Sequence, residues 1–172
     1  MPLWRLFKKS TGSPHAAWWR DADAAAEALD AHTVARLRAA DAAPAPDVDA
    51  ERRDEMLEGL EQLLRAAGAP DLPVIGTRHR VIGDETCHFI APVTIADSPV
   101  AGKLFFTPTR VVFAAAGVKA WPWHRVREVV RTDRDLIITV TGSGDALHVR
   151  CNGYGDALLA RYFASKLLAG KV

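Results

Sequence analysis

Between residues 14 and 40 the apolar positions Trp18, Ala22, Ala25, Leu29, Val34 and Leu37 fall roughly along one side of a helical wheel, with Trp19 beside them. The stretch has no Gly, and its one Pro, Pro14, stands at the first helical position behind Ser13, a residue type that caps helix starts. This predicts one helix over 14–40, whose repeated alanines allow close approach to a second. The Pro/Ala run from Asp41 to Asp47 must break it, because each proline lacks an N–H and pushes its predecessor out of the helical region. Helical spacing resumes with Asp47 or Asp49 as cap, Met56, Leu57, Leu60, Leu63 and Leu64 on one face, and Gly68 as the stop. The two segments predict an antiparallel helical hairpin.

From Ala69 the period changes to two. "VIGTRHRVI", "HFIAPVTIA", "KLFFT", "RVVFAAA", "KAWPW", "VREVVR", "LIITVT" and "ALHVRC" are short, rich in β-branched and aromatic residues, and separated by turn formers such as Gly83-Asp84, Asp97-Ser98-Pro99 and Gly142-Ser143-Gly144-Asp145. Antiparallel strands follow from this pattern. The chain then returns to helical spacing in "YGDALLARYFASKLLAG", with Leu158, Leu159, Tyr162, Phe163 and Leu167 on a broad apolar face. The expected fold class is α+β, with the helical hairpin in residues 1–68 and an antiparallel β-domain closed by a terminal helix in 69–172.

A chain of 172 residues that is 49% hydrophobic can bury an ordinary core. The net charge of +1 conceals an uneven distribution: residues 41–68 hold three bases and eight acids, while 69–172 hold thirteen bases and nine acids. Without a global excess of positive charge, whole-surface binding to nucleic acid is not expected. No stretch approaches the length of a membrane span, and the first residues lack the apolar core of a secretory signal. A cytoplasmic location is expected, with membrane association open. Cys87 and Cys151 have no metal-ligand spacing and read as reduced, buried strand residues. The Ala and Arg bias points to a bacterial source with a GC-rich genome.

The phrase "AGKLFFTPTRVVFAAAG", followed by "VKAWPWHRVREVVR", "RDLIITVTGSGDALHVRC" and a helix containing "DALLARYFASKLL", resembles the GRAM and bacterial PH-like families over about residues 72–169. The positions that carry the resemblance are Gly102, Leu104, Phe105, Phe106, Thr107, Arg110, Val111, Val112 and Phe113, then Val126. It implies a PH-like barrel plugged by the last helix. It also implies an anion site on the loop joining the first two strands, which in this chain directs attention to Arg78 and Arg80 in "TRHRVIGDET", with Lys103 and Arg110 on the following hairpin. Guanidinium forks suit phosphate, although Asp84 and Glu85 in the same turn oppose an anion.

A second candidate is the opening "MPLWRLFKKS", where Trp4, Arg5, Phe7, Lys8 and Lys9 combine interfacial aromatics with cations. Two readings are open there: contact with an anionic membrane, or a terminus that is frayed or docked on the β-domain. His124, Arg125, Arg127, Arg131 and Arg134 form a further basic cluster, read as a solvated strand face. Trp18-Trp19 and Trp121-Pro122-Trp123 are read as packing residues. His79, His88, His124 and His148 are scattered without ligand spacing, and Cys87-His88 would point to opposite faces of a strand. Neither catalysis, a cofactor nor a metal is expected. The function expected is a non-catalytic adaptor for an anionic membrane surface, a protein partner or both; the alternative is a purely protein-binding module in which the acidic second helix occupies a basic face of its own barrel.

Overall fold

The computed structural model describes residues 14–41, 49–142 and 146–170. Three helices come first: α1 (Pro14–Ala28), α2 (Ala31–Asp41) and α3 (Ala50–Ala67). The single helix expected over 14–40 is therefore two. The break is made by Leu29, which takes a left-handed conformation (φ 53°), and by Asp30, which caps α2. Asp30 Oδ1 accepts from the His32 and Thr33 backbone N–H groups at 3.0 and 3.2 Å, and its Oδ2 accepts from the Thr33 hydroxyl at 2.7 Å. The two Thr33 hydrogen bonds, helped by the His32 N–H, outweigh the opposing effect of burial and hold the Asp30 carboxyl below its ordinary value. The Asp30 N–H closes the end of α1 on the Ala25 carbonyl at 3.0 Å.

Seven strands follow: β1 (Phe89–Ile95), β2 (Ala101–Phe106), β3 (Arg110–Ala114), β4 (Val118–Pro122), β5 (Val126–Thr132), β6 (Asp135–Val140) and β7 (Ala146–Cys151), then helix α4 (Tyr154–Ala169). They make one antiparallel sheet in the order β4-β3-β2-β1-β7-β6-β5, with β1 central and paired on both sides. Inward residues from both halves of the sheet, including Phe89, Leu104, Phe106, Val111, Leu136, Ile138 and Val149, join Ala157, Ala160, Phe163 and Ala164 of α4 in a single core. The sheet therefore curls around the terminal helix, an arrangement consistent with a PH-like fold. A single 3₁₀ turn, Trp123–Arg125, links the two edge strands and drives the fully buried Trp123 into this core.

The breadth of the apolar face of α4 has a direct cause. One side enters the barrel, while Tyr154 and Leu158 enter a second core with Ala22, Ala25, Leu37, Met56, Leu57 and Leu60 of the helical layer. Helix α4 is thus sandwiched between sheet and helices. The contact with α3 is close because Gly59 and Gly155 face each other: a Cβ on Gly59 would lie 2.8 Å from the Gly155 nitrogen. Glu55 of α3 completes the junction, its Oε1 accepting from the Tyr154 N–H at 3.1 Å and so capping α4, whose own N-cap Gly153 has no side chain.

The first expected strand, "VIGTRHRVI", is not in the sheet. Apart from one bridge between Ile75 and Cys87, the segment preceding β1 is a strap. Its apolar residues Ile82 and Cys87 cover Phe105 and Val112, the outward-facing pair of β2 and β3, in a small third core. The hairpin is apolar on both faces because both are buried.

Candidate functional site

The strap determines where the predicted cations stand. Arg78 and Arg80 are exposed on either side of His79, whose ring lies against Phe105 with centroids 4.8 Å apart. Lys103, two residues before Phe105 on the same face of β2, is also exposed. Among the described residues none of these three cations has an ion-pair partner. The geometry differs from the expectation in two respects. Arg78 and Arg80 sit before β1, so they do not belong to the loop between the first two strands. That loop, between Ile95 and Ala101, carries Asp97 and no basic residue.

Arg110 behaves differently from the other three. Its guanidinium pairs with Glu85 Oε1 at 2.6 Å and reaches the Val81 carbonyl at 3.5 Å. Glu85 Oε2 accepts from the Thr107 hydroxyl at 2.7 Å and from the Thr109 hydroxyl. Thr107 is itself fully buried, and its carbonyl receives the indole N–H of Trp123 at 2.8 Å. The Thr107-Pro108-Thr109 turn thus ties strap, hairpin and 3₁₀ turn together, and Arg110 is a structural cation inside that tie. The same tie satisfies Glu85, one of the two acids expected to oppose an anion on the strap.

The second basic cluster divides. His124, Arg125 and Arg127 are exposed. Arg131 and Arg134 instead bind the helical layer: Arg131 pairs with Asp23 of α1, and Arg134 with Glu55 of α3 while lying over the Tyr154 ring at 4.7 Å. Arg52 of α3 returns the interaction, donating to the Tyr154 hydroxyl at 2.9 Å and standing 3.7 Å from Asp133. Sequence reading treated these arginines as a solvated strand face; two of them are the polar seam between sheet and helices. On the adjoining strands β6 and β7, Asp135 accepts from Arg150 at 2.7 Å and contacts His148 Nε2 at 3.0 Å, a cross-strand cluster that no local pattern in the sequence marks. The Arg150 hydrogen bond and the His148 contact outweigh partial burial and lower the Asp135 carboxyl.

Trp4, Arg5, Phe7, Lys8 and Lys9 lie outside the described residues. Trp18 and Trp19 pack edge to face at 4.9 Å against the helical core, and Trp121 lines the barrel core beside Trp123. Both thiols are buried and free, and burial raises them, Cys151 to about 12. Among the described residues no group of His, Cys, Asp and Glu is placed to hold a metal ion, and no helix is long and apolar enough to cross a membrane.

No family model matches this chain, and no curated protein does. Solved structures that share part of its path include two of low identity. It is similar to the C-terminal domain of an unknown protein from Leishmania infantum, at 14% identity and a TM-score of 0.41, over 49% of this chain and 85% of that one. It is also similar to the complex of the FERM and C-terminal domains of Drosophila Merlin, at 11% identity and a TM-score of 0.37; the match covers 92% of this chain and 56% of that chain. Scores of this size say nothing about what the protein does.

The Glu85 tie makes a testable contribution to stability. Partial burial opposes the charged carboxylate, but the Thr109 and Thr107 hydroxyls and Arg110 outweigh it, so Glu85 titrates below its ordinary value of 4.5. A depressed carboxylate stabilises the fold fully above its unfolded value and loses that contribution as pH falls through the folded value. Glu85→Gln is therefore expected to cost about 2 kcal/mol at pH 7, because Arg110 remains half-buried without its partner. The gap between variant and parent should narrow below pH 4.5. Urea denaturation at pH 7 and pH 3.5 checks both parts, and a gap that is independent of pH would contradict them.

Proposed function

We propose that this chain is a non-catalytic adaptor of the PH-like class that binds an anionic surface through its strap. The observation supporting the reading is the charge balance there. Arg78, Arg80 and Lys103 are exposed and unpaired among the described residues, while Glu85 is withdrawn into its contacts with Thr107, Thr109 and Arg110. Asp84 is the exposed acid that remains in the turn. Each cation held near an anionic bilayer contributes on the order of 1 kcal/mol, so the strap alone gives weak, salt-sensitive association. The segment holding Trp4, Arg5, Phe7, Lys8 and Lys9 would supply the second element that stable attachment needs.

The test is sedimentation with vesicles of phosphatidylcholine, with and without phosphatidylserine, at low and physiological salt. The double variant Arg78→Gln, Arg80→Gln is expected to reduce partitioning onto the anionic vesicles on the order of 30-fold, with no effect on neutral ones. A chain starting at Thr11 should lose most of the remaining binding. Absence of binding to anionic vesicles in every condition would favour the second reading, a purely protein-binding module. That reading draws support from the helical layer, whose Asp23 and Glu55 already occupy Arg131 and Arg134.

A further inference from the structure

Where the C-terminal end of α1 meets α4, the helical layer leaves a pocket of about 340 Å³. This is at the lower end of the roughly 300 to 1,000 Å³ usual for small-molecule sites. Its walls are Ala26, Leu29, Leu63, Leu158 and the Tyr162 ring. Its charged groups are unequal. Arg131, with a side chain only 5% exposed, forms part of the lining but is already committed to Asp23 and to the Asp133 carbonyl. Among the described residues Arg161 pairs with Glu27, which also lines the pocket, at 4.0 Å, the outer limit of an ion pair. Lys166 stands 5.5 Å from the Tyr162 ring centroid and has no carboxylate partner among the described residues. The Ser165 hydroxyl donates to the Tyr162 carbonyl at 2.6 Å, leaving its oxygen to accept. Positive charge therefore exceeds negative charge in a space walled by hydrocarbon.

An independent observation concerns Leu29. At the left-handed position that ends a helix, glycine or asparagine is relaxed and a leucine is strained. Buried packing does not account for the choice, since Leu29 is 38% exposed. Its side chain borders the pocket. The fold thus tolerates an unfavourable backbone conformation that places an apolar side chain at the pocket's edge.

We infer that this pocket binds a small amphiphilic anion, a carboxylate or phosphate monoester on a short alkyl chain, with Arg161 and Lys166 holding the head and Leu29, Leu63, Leu158 and Tyr162 the chain. The larger groove between α2 and α3, about 700 Å³, suits such a ligand less well, because its cation Arg38 is already paired with Asp54 and Glu61.

The experiment is isothermal titration of the full chain with octanoate and with octyl phosphate. Inorganic phosphate serves as head alone and octanol as chain alone. Saturable binding of one molecule per chain is expected for at least one of the two amphiphiles, whichever head it carries, and at least tenfold weaker binding for both fragments. The pair Arg161→Gln, Lys166→Gln should weaken the amphiphile about tenfold without changing octanol. Leu29→Gly should raise the melting temperature by a few degrees while weakening the amphiphile several-fold, opposite signs that a merely structural leucine would not give. The assignment is overturned if neither amphiphile saturates, if inorganic phosphate or octanol binds as well as they do, or if these variants leave the affinity unchanged.

Discussion

Trp123→Ala is expected to destabilise the chain by roughly 3 to 5 kcal/mol, the range for deleting a large aromatic from a packed core. The residue is fully buried and packs edge to face on Phe106 at 5.2 Å. It also occupies the 3₁₀ turn that joins β4 to β5, the two edges of the curled sheet. Two contributions can be separated. Trp123→Phe keeps most of the ring packing but removes the indole N–H, leaving the Thr107 carbonyl without that donor, and should cost about 1 to 2 kcal/mol. Guanidinium denaturation of both variants gives the comparison. Equal losses would mean that the hydrogen bond, and not the filled volume, carries the effect.

What was legible in the sequence follows the strength of local patterns. Seven of the eight predicted strand segments are strands, because alternation and punctuating turns report directly on a half-buried sheet. The eighth failed for a physical reason. In "VIGTRHRVI" the alternation is real, but Ile82 is buried against the outside of the sheet and Val74 is 75% exposed, so the segment covers strands instead of pairing with them. The division of the first helix was missed because Asp30 is an unremarkable residue in an Ala-rich run; its capping role depends on Thr33 three positions on and on a leucine accepting a left-handed conformation. Arg110 illustrates the limit for site prediction. Its spacing on the hairpin was visible, but its partner Glu85 is 25 residues earlier in sequence, and only the strap brings them together. The same holds for Arg134 and Glu55, which no local pattern connects.

Gly59→Val is expected to cost roughly 3 kcal/mol, because the obstacle to its side chain is backbone. A Cβ at this position meets the Gly155 nitrogen at 2.8 Å and its Cα at 3.0 Å, with Leu158 at 3.1 Å. The helices must therefore separate, which strains the Glu55 cap of Tyr154 and the Arg52 bond to its hydroxyl. Gly155→Ala provides the contrast. Its Cβ would be crowded by the end of the Gln62 side chain alone, at 2.9 Å, which can swing aside, while the Gly59 Cα lies at an ordinary contact distance of 3.6 Å; alanine gains up to about 1 kcal/mol in helix propensity. That variant should stay within about 1 kcal/mol of the parent. Because Tyr162 packs against both the barrel core and the helical core, with α4 shared between them, the loss in Gly59→Val should appear as a shift of one cooperative transition followed by circular dichroism and Trp fluorescence. An early transition confined to the helices would instead show that the helical layer unfolds independently of the barrel.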